Sequence, residues 1–150
     1  MKKIILFLAC FFTLTLASAE TLDKKINFNN LPKLAQTIIK KHFPDNKVRS
    51  VEKDDDRTYD VDLAGGIKLE FGPNGHWREI ESEKAGIPYS ALPQRVRAAV
   101  KSKYNGKVKV VEVEREEGEI KVKLSNGDEF KMKNSVKGKK AISHFEDNDD

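Results

Sequence analysis

The chain predicts an α+β fold: a helix followed by an antiparallel meander, used twice, with both helices on one face of a sheet of seven or eight strands. Three observations carry this. Apolar residues recur at helical spacing behind two Leu-Pro pairs, Leu31-Pro32 and Leu92-Pro93. Each helical run gives way to strict alternation, YDVDLAGGIKLEF in the first half and IKVKLSNGDEFKM in the second. The two halves also align at an offset of 61 residues, through pairs such as Ala35/Val96, Ile39/Val100, Val61/Val122, Leu63/Leu124 and Gly66/Gly127. A sequence that repeats itself at such a period repeats a supersecondary unit.

In the first unit, residues 31–81, the positions Leu31, Leu34, Ala35, Ile38, Ile39 and Phe43 trace one helix face. Asn29 or Asn30 is the cap candidate, Pro32 falls where a missing N–H costs nothing, and Pro44-Asp45 ends the helix. The period then drops to two, predicting strands near 47–52, 59–63, 67–71 and 77–81. Their turns are Asp54-Asp55-Asp56, Ala64-Gly65-Gly66 and Pro73-Asn74-Gly75. The second unit, residues 90–145, has Ser90 as cap candidate and Leu92, Val96, Ala99, Val100 and Tyr104 as its helical face, closed by Asn105-Gly106. Strands follow near 108–114, 119–124, 129–133 and 141–145, with tight turns at Glu117-Gly118 and Ser125-Asn126-Gly127. Residues 82–89 join the units, and each unit alone would leave half the core uncovered, so the two are expected to form one folded domain.

The ends read differently. Lys2 and Lys3, the apolar run 4–16 and Ala17-Ser18-Ala19 make residues 1–19 a secretory signal peptide cleaved after Ala19, too short for a membrane span. Export to the periplasm is therefore expected, with secretion, or a lipid anchor on Cys10, as the alternatives. Residues 20–30 form a polar lead-in without a sustained period, and 146–150 an acidic tail. Removing the signal takes away the only cysteine and lowers the formal charge from +4 to +2. The remaining residues 20–150 are enough to bury roughly two-thirds of the unfolded surface without disulfides. Near-neutral balance gives no electrostatic case for nucleic acid or for an anionic membrane, and no membrane insertion is expected once the signal is gone.

Alternation assigns the sheet faces. Tyr59, Val61, Leu63, Ile67, Leu69 and Phe71 point one way with Ile120, Val122, Leu124, Phe130 and Met132, toward the helices. Asp60, Asp62, Lys68 and Glu70 point the other way with Lys121, Lys123, Glu129, Lys131 and Lys133, toward water. This open face counts −2 in the first unit and +3 in the second. The helix, the segment YDVDLAGGIKLEFGPNGHWREIE and the second, degenerate copy resemble the PepSY-like family of small exported bacterial proteins, described as having a β-lactamase-inhibitor-protein-like fold. The second copy departs from the pattern, with no Trp after Asn134. The resemblance implies a tandem architecture and a binding role, and transfers no catalytic residue.

Candidate chemistry is sparse. His42, His76 and His144 lack ligand spacing, the mature chain has no Cys, and no Ser stands in a G-x-S-x-G elbow. The Asp54-Asp55-Asp56 run lacks the donor spacing of a calcium loop, and Asp is at home in turns. No enzyme, cofactor or metal site is therefore expected. Trp77 has two accounts: closure of the core, or an anchor for a partner with Arg78 beside it. The charged open face also has two, an ordinary solvated surface or a docking face for a periplasmic or envelope protein. A small-ligand or cell-wall-fragment binder with a cleft lined by Trp77, Tyr89 or Tyr104 is the alternative in another class.

Overall fold

The computed structural model describes residues 24–82 and 84–133. The signal peptide, the acidic tail, His144 and the strand expected at 141–145 lie outside them. Eight strands form one antiparallel sheet: β1 (Lys24–Lys25), β2 (Val48–Lys53), β3 (Tyr59–Leu63), β4 (Ile67–Phe71), β5 (Trp77–Ser82), β6 (Val110–Glu116), β7 (Glu119–Leu124) and β8 (Glu129–Lys133). Their order across the sheet is their order along the chain. Helix α1 (Lys33–His42) connects β1 to β2, and α2 (Gln94–Tyr104) connects β5 to β6.

Period-two alternation builds the core face. The register places Val61, Leu69, Ile80, Val113 and Val122 side by side across five strands, and all five are buried. Ala35, Ile38 and Ile39 of α1 and Val96 and Val100 of α2 bury against that face, closing one hydrophobic cluster across both units. The pairing of β5 with β6 stitches the units together, through Ile80↔Val113 at its centre.

Three expectations change. The lead-in contains a strand: Lys24 and Lys25 pair with Lys53 and Glu52, and two residues are too few to show a period. Asn29, Asn30 and Ser90 do not cap the helices. Each lies in a 3₁₀ turn, Phe28–Asn30 or Tyr89–Ala91, and Pro32 and Pro93 occupy the cap positions with no side-chain bond. In α1 the buried Gln36 side chain serves this entry instead, donating to the carbonyls of Leu31 (2.8 Å) and Asn29 (3.1 Å). The third change concerns the charge on the open face.

The β4–β5 hairpin seats the sheet under α1. Gly75 stands at φ +85°, and a Cβ there would meet Pro32 Cβ at 2.8 Å and the Ala35 nitrogen at 3.1 Å. Glycine is needed both for the backbone angle and for the approach.

Candidate partner-binding face

On the face away from the helices, cross-strand pairing lines up side chains from every strand. One register row runs Lys25, Glu52, Asp60, Glu70, Glu79, Glu114, Lys121, Lys131. Five carboxylates therefore stand in succession on β2 to β6, between cations at the two edges. Directly paired residues have Cα atoms about 4.5–5.5 Å apart, and like charges so placed oppose one another. The next row runs Ser50, Asp62, Lys68, Glu81, Glu112, Lys123, Glu129.

The −2 and +3 split is thus corrected. Glu79 and Glu81 of β5 and Glu112, Glu114 and Glu116 of β6 also belong to this face. Those on β6 face the lysines: Lys123 meets Glu112 at 3.4 Å, Lys121 meets Glu114 at 3.9 Å, and Lys131 meets Glu116 at 3.0 Å and Glu119 at 3.5 Å. The Lys131 ammonium is held above its ordinary pKa, first by the hydrogen bond to Glu116 and then by that carboxylate's charge. Lys133 lies beside Glu119 in the register. The second unit presents a zwitterionic strip rather than a cationic patch.

The first unit is acidic. A groove of about 360 Å³ is lined by Glu52, Asp60, Asp62, Glu70, Glu79 and Glu81 with Lys68, and floored by Val61 and Leu69. Lys68 reaches Glu81 at 4.0 Å, and Arg78 reaches Glu70 at 3.5 Å and Asp56 at 4.0 Å. Arg78 comes to this face through a bulge, because Phe71 pairs with Trp77 while Glu70 pairs with Glu79. Glu79 sits mid-row, and its carboxyl is pushed up, first by partial burial and then by the charges of Glu114, Glu112, Glu70 and Glu81.

Trp77 is not on this face. Its side chain is 1% exposed on the core side, and the Arg115 guanidinium lies 4.0 Å from its ring centre. Burial pulls Arg115 down to about 10, and His76 is lowered first by its own partial burial and then by the charge of Arg115. Tyr104 donates to Asp128 at 2.8 Å, while Tyr89 is 44% exposed in the turn before α2. These three aromatics are spread over core, helix end and surface, and none lines a groove on the open face.

The aspartates of the β2–β3 turn act locally. The buried Thr58 donates its hydroxyl to Asp56 (2.6 Å), with Asp54 at 3.1 Å as the other acceptor in reach, and its backbone N–H donates to Asp56 (3.1 Å); the two bonds to Asp56 hold that carboxyl below its usual range. Among the described residues no three His, Cys, Asp or Glu gather in a metal-holding arrangement, and no helix is long and apolar enough to cross a membrane.

Comparison places this architecture among known proteins. The family profile described as "Putative beta-lactamase-inhibitor-like, PepSY-like" matches residues 18–64 and 57–140. Among curated proteins none matches. A "putative periplasmic protein" of Bacteroides vulgatus shares the fold with a TM-score of 0.71 and 39% identity over 75% of this chain and 90% of its own. A "putative calcium-regulated periplasmic protein" of Bacteroides thetaiotaomicron gives 0.70 and 34% over 75% and 90%. A second Bacteroides vulgatus protein, described as periplasmic and of unknown function, gives 0.65 and 36% over 74% and 91%. None of these descriptions names an enzymatic activity. With a family profile spanning the sheet and both helices, and three solved relatives above 30% identity, the chain belongs to the PepSY-like, β-lactamase-inhibitor-like family.

Proposed function

We propose that the protein is a non-enzymatic periplasmic binding protein that engages a protein partner through the open sheet face, and that the partner presents a basic segment to it. The observation that supports this most is the row of five carboxylates. Sheet formation does not call for it, since like charges in direct register weaken strand pairing. A merely solvated face is served as well by mixed signs. A cationic partner relieves the repulsion, so binding gains what folding loses at the same residues.

Asp60, Asp62 and Glu70 are the central contacts in this reading, joined by Glu52, Glu79 and Glu81. Lys68 and Arg78 lie inside the field and set the register of the partner's charges. Lys121, Lys123, Lys131 and Lys133 flank the site, with most of their charge answered by glutamates of the same face. Trp77 supports the site from beneath as part of the core. The matching descriptions of three relatives favour a periplasmic location, reached through cleavage after Ala19. The tandem reading is part of the same proposal. In its favour, β2 and β6 carry bulges at Val48/Ser50 and Val110/Glu112, and Lys47 and Lys109 accept equivalent bonds from Ala64 and Ser125.

The test is capture from periplasmic extract on immobilised wild type and on the Asp60→Lys/Glu70→Lys variant, followed by association kinetics with the recovered protein. The wild type should retain a partner with a basic stretch, and the variant should lose it. The association rate should fall as salt rises, because exposed charges more than about 10 Å apart are screened at 0.1 M. Capture of the same proteins by both, with both folded, would sink the reading.

A further inference from the structure

The near-neutral net charge hides a separation of signs across the molecule. Helix α1, KLAQTIIKKH, and helix α2, QRVRAAVKSKY, contain no acidic residue. Lys33, Lys40, Arg95 and Lys101 are exposed on them and Arg97 is half-buried. On α1 the exposed positions 33, 37, 40 and 41 fall opposite the buried 35, 38, 39 and 42, so its lysines project from the layer's outer surface. Arg95 donates to the Lys133 carbonyl at 3.1 Å, and Lys40 lies over the Phe28 ring. None of the five forms an ion pair among the described residues, whereas ion pairs are plentiful on the sheet face.

Helix stability does not account for the pattern. Cations at a helix C-terminus suit its dipole, which covers Lys40 and Lys101. Lys33, Arg95 and Arg97 stand in the first turns, where the dipole is positive and repels them. The alternating i,i+4 pairs that usually decorate an exposed helix are missing as well. A protein-docking surface would be expected to carry a cluster of large apolar anchors, yet the large hydrophobics exposed among the described residues are Val48 on β2 and a single one beside the helix layer, Tyr89 in the 3₁₀ turn that contacts α1. A cationic surface with one exposed aromatic beside it fits a charged plane that needs no pocket.

We propose that the helix layer is an electrostatic docking surface for a bilayer carrying anionic phospholipid headgroups, leaving the acidic sheet face turned away from it. Binding is peripheral: Lys and Arg approach headgroup phosphates, and nothing inserts. The proposal stands apart from the partner reading, because it uses other residues and needs no partner to test.

The experiment is co-sedimentation of the mature chain with phosphatidylglycerol/phosphatidylcholine vesicles and with pure phosphatidylcholine vesicles. Wild type should bind the anionic vesicles alone and be released as salt rises. Each basic residue near such a surface is worth about five-fold in affinity. The Lys33→Glu/Lys40→Glu/Lys101→Glu variant should therefore bind at least about 100-fold more weakly. The Lys121→Glu/Lys131→Glu/Lys133→Glu variant makes the same change in net charge on the sheet side and should stay within about two-fold of wild type. Circular dichroism checks both folds, and Lys→Gln at the three helix positions is the milder replacement if the reversal unfolds. No binding to anionic vesicles, or equal loss in both variants, would overturn the proposal. So would low-salt self-association that the helix variant abolishes in a protein that ignores vesicles.

Discussion

Two side chains carry most of the residue-scale consequences. Trp77 fills the core beneath the β4–β5 hairpin, its far side closed by Arg115. Trp77→Ala should lower unfolding free energy by about 3–5 kcal/mol, read by chemical denaturation. Arg115→Lys should cost about 1 kcal/mol, because an ammonium cannot stack on the ring as a planar guanidinium does. Glu79 is the other. Its folded pKa lies above the unfolded value, so between the two the folded state holds the extra proton, and stability declines as pH climbs from the ordinary glutamate range. Glu79→Gln should remove that part of the slope and gain about 0.5 kcal/mol at neutral pH. A denaturation series from pH 4 upward, in about one-unit steps, checks it. Equal slopes for both proteins would show that Glu79 feels little of its neighbours.

Among the elements, the β4–β5 hairpin is the least tolerant of change. Gly75→Ala forces a left-handed backbone on alanine and a methyl group into α1's first turn, and should destabilise by about 1–3 kcal/mol. Thermal melts would register it, and an unchanged midpoint would mean that the hairpin lifts away freely. The strands and helices were legible because each runs long enough to show its period: YDVDL, IKLEF and EIKVKL alternate without a break. Elements without a period were not. β1 has two residues, and the helix entries are governed by Pro32, Pro93 and the distant Gln36 side chain, not by the neighbouring Asn and Ser. The site was half legible for a related reason. Asp60, Asp62 and Glu70 stand on unbroken strands, whereas Glu79 follows a bulge in β5 and the β6 glutamates follow another after Val110. Each bulge shifts the face to which the next residues belong, and only the register shows by how much.

At the scale of the molecule, the sheet is continuous across the two units, so neither should survive alone. Cleaving the chain at 84–87 and separating the halves should leave each without a strand neighbour at β5 or β6 and without part of its apolar cover. Circular dichroism of the fragments should show little cooperative melting, and two independent sharp transitions would mean that the units are separate domains. The sign separation belongs to this scale too. Composition reports only a sum, and a sum of +2 conceals where the charges stand. The topology sends the helical segments to one side and the alternating acidic strands to the other, so the field of the molecule is that of a dipole.

The strand order has a consequence for how the molecule comes into being. Because neighbours in the sheet are neighbours in the chain, β2 through β5 can close hairpin upon hairpin, and β6 through β8 likewise. Only β1–β2 and β5–β6 must wait for an intervening helix, the latter bringing Ile80 to Val113. Such a chain has low contact order for a protein so rich in sheet, and loop-closure entropy slows it little. A polypeptide threading through a narrow opening N-terminus first could zip itself shut strand by strand as it emerges, with each new hairpin covering the edge left open by the one before.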